Sequence, residues 1–96
     1  MLLKESEWQV VSTDNAKEVK FCEAFGDRYH FTASEKEVMR LGMLIGLNDE
    51  EIISVMRIST RTLNNLIACM IGKTRTHSLR EIQALFLRYI LQKLPN

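Results

Sequence analysis

Helix-capping residues recur along this chain at intervals that leave room for short helices joined by tight turns. Thr32-Ala33-Ser34-Glu35 is a capping box: a hydroxyl that accepts a free backbone N–H, and a glutamate three residues on that returns the bond. Apolar Val38, Leu41, Met43, Leu44 and Ile45 follow, and Gly46 offers a stop. Asn48 caps a second helix, with Asp49, Glu50 and Glu51 in its first turn, where the helix dipole favours acids. Ile52, Val55 and Met56 give that helix an apolar stripe. After a short turn at Arg57-Ile58, Ser59 caps a third helix. Ser78-Leu79-Arg80-Glu81 is a second capping box and opens a last helix to about Leu94, where Pro95 ends it. One proline and four glycines in 96 residues interrupt little of this pattern. The expectation is an all-α fold, with a four-helix domain over residues 31–96 and an N-terminal extension over residues 1–30.

The extension reads two ways. Thr13 or Asp14 caps a helix over about 15–25, with Val19, Cys22 and Phe25 on one side and Gly26 ending it. Trp8, Val10 and Val11 form either a short strand or an extended arm. Periodicity does not choose between them.

Composition narrows the class. Hydrophobic residues make up 46% and charged residues 26% of the chain, enough apolar content for a modest core. No apolar run approaches the roughly 18 residues of a membrane span. The start, MLLKESEW, lacks the basic and apolar regions of a secretory signal. Cys22 and Cys69 stand far apart without framework spacing, which fits a reduced cytoplasmic setting.

Net charge is +1, but its distribution is uneven. Residues 1–30 carry a balance of −2 and residues 31–96 a balance of +3. Between 57 and 80 the chain holds Arg57, Arg61, Lys73, Arg75 and Arg80 and no acid. Such a stretch either faces an anionic partner or is a basic face in water. On a helix over 59–73, Ile67, Met70 and Ile71 share the side of Leu63, the buried stripe. Arg61, Asn65, Ala68 and Gly72 lie opposite, with Asn64 at the edge. Small and amide side chains with flanking cations suit a DNA major groove, where asparagine bonds an adenine edge and arginine or lysine holds phosphate. Two other readings fit the same residues: a solvated polar face, or a helix-packing seam at Ala68 and Gly72.

Residues 31–82 resemble the LuxR/GerE helix-turn-helix family. The likeness runs through Phe31-Thr32, Glu35, Glu37-Val38, Leu41 and Gly46. It continues through Glu51-Ile52, Ile58-Ser59, Thr62-Leu63, Asn65, Met70 and Lys73. It implies a scaffold helix over about 49–57 and a recognition helix over about 59–73 that enters the major groove of double-stranded DNA. It maps base contacts onto Asn64, Asn65 and Ala68, and backbone contacts onto Asn48, Ser59, Thr60, Arg61 and Lys73, with Arg57 and Arg75 flanking. It also implies a dimer through the last helix. There Ile82, Leu85, Phe86, Tyr89, Ile90 and Lys93 keep a seven-residue rhythm, and Leu87, Leu91 and Leu94 widen the apolar surface. The chain departs from the family pattern at Asn64, where lysine is usual, and at Leu66, where histidine is frequent. Ala68 and Glu50 stand where basic residues are frequent, Thr74-Arg75 replaces Leu-Gly, and one extra residue precedes Gly46. Region 4 of bacterial sigma factors has a similar motif, but the long apolar helix after Ser78 and the weakly basic third helix argue against it.

No glycine-rich phosphate loop or nucleophile–base–acid set is present, so no enzyme activity or cofactor is expected. Cys22–His30 and Cys69–His77 share a spacing of eight residues, looser than structural zinc pairs, so no metal is expected either. Two functions follow as expectations. The first is a dimeric, sequence-specific transcription regulator. The second is an interaction module that lost much of its DNA contact and pairs with a related regulator, as a heteromer, through residues 79–94. No sensing domain fits in 30 residues; a complete chain would take its control from abundance, a partner or the N-terminal arm, and a fragment from the rest of a larger regulator.

Overall fold

A computed structural model of the protein describes residues 19–94. The expectations for Trp8, Val10, Val11, Thr13, Asp14 and Pro95 lie outside the described residues. Every regular element within them is helical. Helix α1 covers residues 19–28, α2 is Ala33–Met39, α3 is Asp49–Met56, α4 is Thr60–Thr74 and α5 is Leu79–Lys93. A π-helical segment, Arg40–Ile45, continues α2.

The caps carry out the chemistry read from the sequence. Thr32 Oγ1 accepts from the Glu35 N–H at 3.2 Å, and Glu35 Oε1 accepts from the Thr32 N–H at 2.7 Å. Asn48 and Glu51 form the same reciprocal pair, both bonds 2.9 Å. At Ser78 the box is only half closed. Ser78 Oγ accepts from the Glu81 N–H, but the Glu81 carboxylate reaches one residue further and takes the His77 N–H at 2.7 Å. Each such cap stabilises its helix start by about 1 kcal/mol.

The segment before Phe31 is a helix that belongs to the core. Cys22 and Phe25 are buried with Val38, Met39, Ile52, Leu63, Met70, Ile82 and Phe86 in one cluster. Phe25 is its aromatic hub, with ring centroids 5.1 Å from Phe86, 5.5 Å from Tyr89 and 6.1 Å from Phe31. α1 also runs past Gly26, where it was expected to end. Gly26 is buried, and a Cβ there would stand 2.7 Å from Cγ of Lys36. The missing carbon lets the Lys36 stem cross α1 and place its ammonium on Asp27 at 2.6 Å and Glu23 at 2.9 Å. The turn comes at His30, whose φ of 62° is left-handed.

Two further expectations are corrected. Val55 does not join the apolar stripe of α3, being 56% exposed. Eight residues make barely two turns, so α3 buries only Ile52 fully. On α5, Ile82 and Phe86 face the protomer core rather than a partner. A seven-residue rhythm marks an apolar stripe without saying what covers it; here α1 and α4 do. Leu85, Tyr89 and Ile90 are half-buried against the same core. Leu87, Leu91 and Leu94 are exposed.

Candidate nucleic-acid interface

Three residues, Arg57-Ile58-Ser59, separate α3 from α4. Arg57 closes α3 in the left-handed conformation, with φ 58°, and its N–H returns to the Ile53 carbonyl. Ile58 is half-buried against the core. Ser59 Oγ accepts from the Thr62 N–H at 3.0 Å and donates to Thr62 Oγ1 at 3.0 Å, which fixes where α4 begins. At the far end Thr74 is buried and its hydroxyl donates back to the Met70 carbonyl. Arg75 then ends α4 with φ 59°.

Leu63 and Met70 are fully buried and lock the rotation of α4 about its axis. Each contributes about 1.5–3 kcal/mol by leaving water. That rotation turns Arg61, Asn64, Asn65, Ala68 and Gly72 outward, and all five are exposed. Among the described residues no atom comes within 4 Å of a Cβ added at Gly72, and Ala68 is exposed on the same side. The face is bracketed by Arg57 and Arg75, both exposed. Thr60 and Cys69 are exposed beside it.

Other residues expected at the interface are occupied elsewhere. Lys73 Nζ donates to the buried Glu35 at 2.6 Å and to the His30 carbonyl at 3.0 Å. Two of its three donors therefore tie α4 to the start of α2. Oδ1 of Asn48 and the hydroxyl of Ser59 serve as caps. The sequence placed Glu35 in its capping box, but nothing local pointed to its long-range partner. His77 is exposed in the loop before α5, with Nδ1 3.5 Å from Glu81 Oε1.

Among the described residues no three metal-ligating side chains converge, and no helix is long and apolar enough to cross a membrane. Cys22 is buried and Cys69 is exposed. The described residues thus define an all-α protein in which α4 presents an exposed polar face. No protein-family model matches the chain, and no curated protein or solved structure matches it.

Proposed function

We propose that the chain is a helix-turn-helix transcription regulator of the LuxR/GerE type, with α3 as scaffold and α4 as the helix that reads double-stranded DNA. One observation carries this reading. Among the described residues the side of α4 opposite Leu63 and Met70 is open and short in its side chains, and it is edged by arginines without an intervening acid. In this reading the exposed Asn64 and Asn65 bond base edges. Ala68 and Gly72 permit close approach, and Arg57, Arg61 and Arg75 suit phosphates. A cytoplasmic dimer completes the reading, joined through the exposed Leu87, Leu91 and Leu94 edge of α5.

A mobility-shift titration of the purified protein against genomic fragments, repeated across salt, tests this. Three phosphate contacts per protomer predict a log–log salt slope of about −3 per protomer. Absence of a sequence-preferring complex at low salt would reject the assignment.

The occupation of Lys73 and Ser59 favours a second reading. With the Lys73 ammonium on Glu35 and the Ser59 hydroxyl donating to Thr62, fewer phosphate contacts remain. A module of that kind would join a related regulator through α5 and alter its DNA binding rather than bind DNA alone. Mixing the protein with such a regulator and observing a change in the regulator's complex, with no complex of its own, would establish it.

A further inference from the structure

Away from α4, the seam between α1 and α5 forms a groove of two adjoining clefts with basic rims, the first with an apolar floor and the second of mixed polarity. At one end Lys20, Phe21, Ala24, Tyr89 and Lys93 line a cleft of about 380 Å³. It runs on through Tyr89 to a second, smaller cleft between Phe25, Arg28, Leu85 and Arg88. Along α1 the two span about 12 Å, two helical turns. Four cations line them: Lys20, Arg28, Arg88 and Lys93, all exposed. Among the described residues no carboxylate does. The acids of α1, Glu23 and Asp27, are held by Lys36. None of the four cations pairs with a described acid; Arg28 and Lys93 sit over the Tyr89 ring instead, at 5.9 and 5.3 Å from its centroid.

We infer that this groove is a docking site for an acidic amphipathic helix of a partner protein. The floor asks for apolar side chains one helical turn apart, and the rims ask for carboxylates on both flanks, a helix-in-groove arrangement. Charge complementarity supplies the choice of partner, since four cations that pair with no described acid repel a basic helix and leave a neutral one without rim contacts. Nucleic acid fits less well. Its phosphates gain nothing from the Phe21 and Leu85 floor, and the Tyr89 ring that could stack a base already carries two cations.

The probe is a synthetic helix about four turns long, with leucines at i, i+3, i+4 and i+7 and glutamates elsewhere. Controls are its scrambled sequence, its lysine-for-glutamate twin and a single-stranded oligonucleotide. Each is titrated into the isotope-labelled full chain by amide NMR. The acidic helix moves resonances of 19–28 and 85–93. A Lys20→Glu/Lys93→Glu variant, altered at two exposed sites, binds it about tenfold more weakly or worse and accepts the lysine twin instead. Arg88→Glu provides an independent reversal should the double variant unfold. The inference is overturned if the groove resonances stay still, if the scrambled peptide moves them equally, or if the oligonucleotide is what binds there.

Discussion

Lys73 on α4 and Glu35 on α2, 38 residues apart in sequence, meet at 2.6 Å, and the carboxylate oxygen they share also accepts the N–H that starts α2. One buried atom therefore couples the capping of one helix to the position of the helix proposed to read DNA. Lys73→Met should leave that carboxylate buried with only the Thr32 N–H. Breaking a buried pair costs roughly 3–5 kcal/mol, but Lys73 is about one-third exposed, so a loss of about 2 kcal/mol is expected. Adding Glu35→Gln should recover part of it. Urea unfolding of the two variants and the double variant measures the coupling, and additive losses would deny it.

Arg57 carries two opposed demands. Its left-handed backbone costs about 1 kcal/mol relative to glycine, while its guanidinium is proposed to contact phosphate. Arg57→Gly should raise the melting temperature and at the same time make the salt slope of DNA binding shallower by about 0.9. A variant more stable yet unchanged in salt response would remove Arg57 from the interface.

Asn65→Ala should weaken binding to a specific site by about 1–3 kcal/mol and leave binding to random DNA nearly unchanged. Competition titrations with the two DNAs read the difference. Equal losses on both would mean that Asn65 reads no base.

Leu91 is 62% exposed on the outer edge of α5. Leu91→Glu should change the stability of the monomer by no more than about 0.5 kcal/mol. It should abolish self-association in sedimentation equilibrium. Persistence of a dimer would place the contact elsewhere.

Asp27 first, and then Glu23, hold the Lys36 ammonium above the ordinary lysine range by hydrogen bonding. A folded value above the unfolded one means that the cluster stabilises fully at pH below the ordinary lysine value. That contribution is lost as pH climbs through the raised value. The stability gap between the wild type and Lys36→Met should be flat through neutral pH and close only under strongly alkaline conditions. Denaturant midpoints across that range check this. A gap that closes near neutrality would assign the contact a different origin.

Helix starts were legible because a cap is local chemistry. Thr32, Asn48, Ser59 and Ser78 each cap the helix expected of them. The outward set on α4 was legible for a related reason: once Leu63 and Met70 face inward, a fixed rotation per residue turns Asn65 and Ala68 outward. What escaped depends on distant residues. Gly26 looks like a stop in sequence, yet its role is to admit the Lys36 side chain from α2. Ile82 and Phe86 look like a dimer seam because their rhythm is the same whether α1 or another protomer covers them. Lys73 looks like a phosphate ligand until the fold brings it to Glu35.

The wide turn at Arg40–Ile45 has its own consequence. A π turn takes up a surplus residue by bulging rather than by winding the helix onward. Val38 and Met39 before it and Ile52 after it all point into the core. The segment thus works as slack in the thread. Length can change there while the orientation of α4, two elements downstream, is left alone.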